Sequence, residues 1–203
     1  MSNQTAPTKG NLIATKKSYE LAKLGFELLD RKRNILVKEM MALIERAEEI
    51  QKSINSTYSK AFAMLKKAHI ALGVCEELAH SVPEENGLSL SFRSVMGVEI
   101  PIVHFTERQD SGVPFGLSNS NSDLDKAYSC FREVSKLTAN LAEVETSVYL
   151  LATAIKKTQK RANALKNIMI PKFEIMIKSI TEALEEKERE EFSRLKVIKN
   201  QKK

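Results

Sequence analysis

The stretch RANALKNIMIPKFEIMIKSI, Arg161–Ile180, carries apolar residues at helical spacing with Pro171 in its middle. Proline has no N–H to donate and crowds the carbonyl four residues back, here that of Asn167. Two readings are open: the helix ends near Ile170 and another begins, or one helix runs through with a kink. The apolar seam resumes beyond the proline with Phe173, Ile177, Ile180 and Leu184, which favours one kinked helix.

The chain-breaking residues are unevenly spread. Of the twelve glycines and prolines, seven fall between Pro83 and Gly116, while Phe26–Leu72 and Leu117–Ile170 contain none. The 203 residues therefore divide into an arm, an irregular middle and a second arm. The expected boundaries are 1–80, 81–122 and 123–203.

The first arm, read as Asn11–Ala79, carries a seam of Leu36, Met40, Leu43, Ala47, Ile50 and Ile54, then Tyr58, Ala61, Leu65, Ala68 and Leu72. Steps of four and three alternate except for one stutter at Ile54–Tyr58. The second arm, Asp123–Ile198, repeats the pattern from Leu124, Ala127 and Phe131 through Leu151 and Ile155 to Ala162 and Leu165. Ser122 and Asp125 have the spacing of an N-capping box. The fold expected is mainly α, a long antiparallel two-helix coiled coil with a β-hairpin and loop at the bend. Placing Ala79 opposite Asp123 sets Leu12 beside Glu190 and Pro171 level with Arg31–Arg33.

In the middle, LSLSFRSVMGVEIPIVHF alternates on both sides of Met96-Gly97, the period-two signature of a β-hairpin. Pro101 confines it to an edge position. Two strands alone are marginal in water, so the hairpin should pack on the helix ends or on a partner. The segment DSGVPFGLSNSNS that follows reads as a loop.

Residues 1–38 carry eight Lys/Arg against three Asp/Glu, and residues 187–203 carry seven against three. Residues 81–123 carry two against six. The hairpin arrangement gathers both basic segments at one end and leaves an acidic end opposite, which suggests two different partners.

No phosphate loop of the G-x-x-x-x-G-K-[ST] type occurs. His69, His80 and His104 stand without carboxylates or cysteines at metal-ligand spacing, and Cys75 and Cys130 read as small apolar packers. The run LEEKEREEF reads as a solvated helix face, so the sequence argues against an enzyme and against a cofactor. The basic runs lack the interleaved aromatics that single-stranded nucleic acid would need. The opening MSNQTAPTKG has no apolar core and no stretch is long enough to span a bilayer, so the reading is a cytoplasmic chain. The alternative reading is a free-standing coiled-coil adaptor or a nucleic-acid binder.

The stretch APTKGNLIATKKSYELAKLGFELLDRKRNILVKEM resembles the start of the D subunit of V-type and A-type rotary ATPases, through Pro7, Thr8, Leu12, Lys16, Lys17, Ala22, Gly25, Leu28, Leu29, Lys32 and Arg33. RANALKNIMIPKFE resembles the same family's segment around its proline, GVEIP its central hairpin, and EREEFSRLKVIK its end. Asn34 departs from the Asp that many members carry there, and the loop around Ser111–Ser122 varies in length.

The resemblance implies the axle of a central stalk, itself binding no nucleotide. Its paired termini would enter a ring of A and B subunits. Its other end would meet the F subunit and the stalk cap, the C or d subunit, above the membrane ring. It would stand at the cytoplasmic face of the membrane through that complex, carrying torque between ion flow and ATP chemistry. Lys16, Lys17, Lys32, Arg33, Arg161, Pro171 and Arg194 are the expected axle–sleeve contacts, and Phe92, Val98, Ile100 and Ile102 the expected partner-facing hairpin residues. Lys32 or Arg33 is placed to answer the carbonyl that Pro171 frees, or to reach the sleeve.

Overall fold

A computed structural model describes residues 6–73, 78, 80–82, 86–106, 114–115 and 120–201. Helix α1 is Lys9–Leu72, strand β1 Leu88–Val95, strand β2 Val98–Phe105, helix α2 Ser122–Ala164 and helix α3 Ile170–Gln201, with a π-helical turn at Leu165–Met169 joining α2 to α3. The fold is the expected one: two long helical arms with an antiparallel hairpin between them in the chain. It divides into two compact units, residues 1–35 with 155–203, and residues 36–154.

Helix α1 starts where Thr8 caps it. The Thr8 hydroxyl accepts the Asn11 N–H at 3.2 Å, and the Thr8 carbonyl takes the Leu12 N–H at 3.0 Å. It ends at Gly73, whose φ of 79° and N–H bond to the His69 carbonyl at 3.0 Å form a left-handed cap. The expected end at Ala79 is thus corrected to Leu72, and Ala79 lies outside the described residues. Ser122–Asp125 does not form the expected box. The backbone carbonyl of Asn121 takes the N–H groups of Leu124 and Asp125, at 2.8 and 3.2 Å, and Asp125 Oδ1 is buried with no partner among the described residues.

In the first unit the helices pair antiparallel. Lys9 Nζ meets Glu188 at 3.0 Å, the Tyr19 hydroxyl donates to Glu174 at 2.8 Å, and Arg33 Nη1 donates to Gln159 at 2.8 Å. A Cβ on Gly25 would touch Leu165 Cδ1 at 3.5 Å. Pro171 therefore falls between the levels of Tyr19 and Gly25, not beside Arg31–Arg33, which corrects the expected register. Among the described residues of this unit Ala22, Ala162 and Ile180 are the buried apolar ones, with Thr15 buried and its hydroxyl donating to the Asn11 carbonyl one turn back at 2.7 Å.

The proline neither ends the arm nor leaves the ladder in α form. At Leu165–Met169 the backbone widens by one residue, and the Ile170 N–H reaches the Leu165 carbonyl, five residues back. The sequence has room for that residue. From Val144 through Leu151, Thr158 and Leu165, and from Val148 through Ile155 and Ala162, the seam keeps a strict heptad. Continued, it would select Met169, Lys172, Met176 and Ser179, yet Lys172 and Ser179 are exposed while Phe173, Ile177 and Ile180 turn inward. The seam after the proline is one residue late, and the π turn takes up that residue.

In the second unit the seam reads as expected as far as Ala68, whereas Leu72, its expected last residue on α1, is exposed. Leu36, Ile54, Ala61, Ala68, Leu124, Ala127, Val134, Val144 and Leu151 are buried. At the stutter Thr57 joins it, its hydroxyl satisfied by the Ser53 carbonyl at 3.0 Å. Tyr58, Phe62 and Phe131 form an aromatic trio, with centroids 5.8 and 5.4 Å apart along it. Phe115, from the polar loop, is buried with Ala68 and Leu124 and packs edge-on to Tyr128 at 5.8 Å.

The hairpin turns on Met96 (φ 51°) and Gly97 (φ 76°), with Val95 opposite Val98. Two positive φ values in a two-residue loop match the right-handed twist of the strands. Pairs then alternate between bonded and non-bonded, so the N–H groups of residues 99, 101, 103 and 105 point away from β1. Val103 N accordingly donates to Glu143 of α2 at 2.7 Å, and Pro101 costs the ladder nothing. Arg93 reaches Glu39 of α1 at 2.8 Å. The hairpin thus lies along the flanks of both helices and not on their ends.

Candidate interaction surfaces

The expected contact residues have different fates. Lys16, Lys17, Arg161 and Arg194 are exposed, and Arg194 faces Glu190 one turn back at 3.8 Å. Lys32 and Pro171 are half-buried. Arg33 is committed within the chain: its guanidinium pairs with Asp30 at 2.7 Å, donates to Asn34 Oδ1 at 3.1 Å and holds Gln159. Gln159 in turn donates to Asn163 at 2.8 Å. Arg33 therefore does not answer the Asn167 carbonyl. Asn34 supplies a neutral acceptor here, where an aspartate would set a second carboxylate beside the same guanidinium.

The larger feature of this unit is apolar and lies outside the seam that the spacing reveals. Leu21, Leu24 and Leu28, at three- and four-residue steps, form a second stripe on α1 that is more than half exposed. Ile168, turned out at the π bulge, and Ile175 are exposed on the other arm. At the end of α3, Phe192, Leu195, Val197 and Ile198 are all exposed. A monomer rarely leaves such apolar surface open, which makes it a candidate contact surface.

In the second unit Phe92 is 68% exposed, Val98 and Ile102 are half-buried, and Ile100 is only 2% exposed. Ile100 thus packs within the chain's own hairpin and helices. Leu88 and Leu90, outside the expected partner-facing set, share the face of Phe92 and are exposed with it. Their alternation is visible in the sequence; which strand faces outward is not.

Among the described residues no group of three His, Cys, Asp or Glu could hold a metal ion, and no helix is long and apolar enough to cross a membrane. His104 Nε2 lies 2.8 Å from the Ser91 hydroxyl, across the hairpin. Cys130 is half-buried with a free thiol, and Cys75 lies outside the described residues.

The profile of the ATP synthase D-subunit family matches residues 11–200. The chain is 44% identical over 196 residues to the D subunit of the V-type ATP synthase of Thermotoga neapolitana, covering 96% of each chain. It is 36% identical to the D subunit of the A-type ATP synthase of Methanobrevibacter smithii, covering 96% of this chain and 86% of that one. To the D subunit of the A-type ATP synthase of Pyrococcus horikoshii it is 34% identical, covering 95% and 92%. With two long helical arms, a hairpin between them and a match along nearly its whole length, the chain belongs to the ATP synthase D-subunit family, as a non-catalytic component of a V/A-type ATPase.

Proposed function

We propose that this chain is the central rotor-stalk component of its ATPase, transmitting torque between the membrane ion-translocating ring and the catalytic ring of A and B subunits. The unit formed by residues 1–35 and 155–203 is the part held inside that ring. The hairpin-bearing unit meets the F subunit and the stalk cap, the C or d subunit. The observation that carries this reading is the surface of the first unit. Its helices already pair with each other, yet it still exposes the Leu21–Leu24–Leu28 stripe and the apolar end of α3, set among lysines and arginines. A shaft gripped by a surrounding sleeve needs surface of this kind, spread along its length. Many modest contacts of mixed character suit a moving interface better than one deep anchor. Lys16, Lys17, Lys32, Arg161, Pro171 and Arg194 belong to that gripped surface, with Arg33 supporting it from within. The chain reaches the membrane only through the complex.

The test is assembly followed by rotation. The full chain, tagged and co-expressed with the A, B and F subunits, should purify with them, and a probe attached to it should turn when ATP is supplied. A chain that purifies without the A and B subunits, or that captures nucleic acid instead, would overturn the reading.

A further inference from the structure

The hairpin has one used edge and one open edge. β2 lies inward: of its residues only Glu99 and His104 are exposed, Ile100 and Pro101 are buried, and Glu143 caps its outer edge at Val103 N. β1 lies outward: six of its eight residues are exposed, and only Ser91 and Val95 are half-buried. By the alternation of the ladder, the N–H and C=O groups of Leu88, Leu90, Phe92 and Ser94 point away from β2. None of them has a hydrogen-bond partner outside the ladder among the described residues. Three of the four carry large apolar side chains on one face, exposed by 55%, 64% and 68%. Leu88 also walls an open groove of about 460 Å³ with Tyr58, Phe131, Val134 and Ala139.

A row of unpaired main-chain donors and acceptors beside an apolar ridge is a template for a further strand. We infer that β1 receives an extended segment of another subunit of the assembly, which pairs with its open edge through Leu88, Leu90, Phe92 and Ser94 and sets alternate apolar side chains against the Leu88–Leu90–Phe92 ridge. The inference rests on the proposed function, since it needs an assembly that already holds the chain. A second copy of this chain is the poorer occupant. A strand of eight residues is about 27 Å long, so with a contact about 10 Å wide the edge offers on the order of 300 Å² per partner. That is well under half of the roughly 800 Å² that a stable stand-alone interface buries on each side. A subunit held elsewhere in the same complex escapes this limit, because its strand meets the edge at high effective concentration.

The experiment is residue-resolved hydrogen exchange on the full chain, alone and in the assembled ATPase, with Ser94→Pro and Ser94→Ala variants. Proline at position 94 removes an outward N–H without touching the internal ladder, as Pro101 does on β2; alanine keeps it. Amides of Leu88, Leu90, Phe92 and Ser94 should exchange freely in the isolated chain and slow at least about tenfold in the assembly. Ser94→Pro should reverse the protection at its neighbours and weaken the contact about two- to tenfold, while Ser94→Ala leaves both unchanged. Free exchange of these amides in a chain that has entered the assembly would overturn the inference and leave the proposed function standing. Protection in the isolated chain that grows with concentration would overturn it in favour of a second copy. A chain that never enters the assembly sinks both.

Discussion

Gly87 and Met96 sit at opposite ends of β1, and each shows what one residue decides. A Cβ at position 87 would run into the Thr106 carbonyl oxygen, on backbone that cannot swing aside. The Thr106 N–H bonds to the Gly87 carbonyl at 2.9 Å, so the same spot closes the open end of the hairpin. Gly87→Ala should cost about 1–3 kcal/mol of local stability, read as faster exchange of the Thr106 amide and early cleavage between residues 86 and 106. Met96 is the opposite case. It holds φ at 51°, a region that asparagine adopts far more readily in this turn type. Met96→Asn should stabilise the hairpin by about 1 kcal/mol, seen as slower exchange of the Ile100 amide. An unchanged or faster rate would mean that the Met96 side chain contributes more than its backbone costs. The dipeptide Met96-Gly97 was legible as a turn because period-two alternation flanks it. The need for glycine at 87 was not, since it arises from a backbone carbonyl far along the chain, at Thr106.

At the scale of elements the heptad was readable and its interruptions were not. Leu36, Ile54, Ala61 and Ala68 are buried where the spacing puts them, because burying an apolar stripe is what makes a long helix stable in water. Gly73 defeated the reading of the helix end, as one glycine at the edge of a periodic stretch looks the same whether it caps or continues. The extra residue before Pro171 was present in the spacing from Leu165 to Phe173, but only a count of phase across the proline brings it out. If the π turn exists to absorb that residue, deleting Asn167 should convert Leu165–Met169 to α-helix while leaving Phe173, Ile177 and Ile180 on the seam. The variant should stay within about 1 kcal/mol of the parent's stability. Pro171→Ala alone should keep the π turn, since the surplus residue remains. A deletion that unfolds the second arm, or an alanine that abolishes the bulge, would show that the proline and not the phase sets it.

For the whole molecule, the question is which surface the chain needs for itself and which it holds for others. From Glu185 to Gln201 every described residue is exposed, and the Lys9–Glu188 pair that ties this stretch to α1 is itself well exposed. The apolar residues beyond it, Phe192, Leu195, Val197 and Ile198, therefore add nothing to the chain's own core. A helix with an apolar stripe and no partner is unstable on its own account, so under the proposed function this segment is kept for a surface that comes from outside. Truncation after Arg189 separates the two uses. Self-stability should hardly change, with a melting temperature shifted by no more than about 2 °C, because no buried side chain is lost. Retention in the complex during ATP-driven turnover should fall, and ATP hydrolysis should uncouple from rotation of a probe on the chain. Replacing Leu21, Leu24 and Leu28 together by serine should have the same double signature, since those side chains also lie outside the seam. If either variant lost stability as much as coupling, the exposed stripe would be part of the fold, and the gripped surface would have to be sought among the basic residues alone.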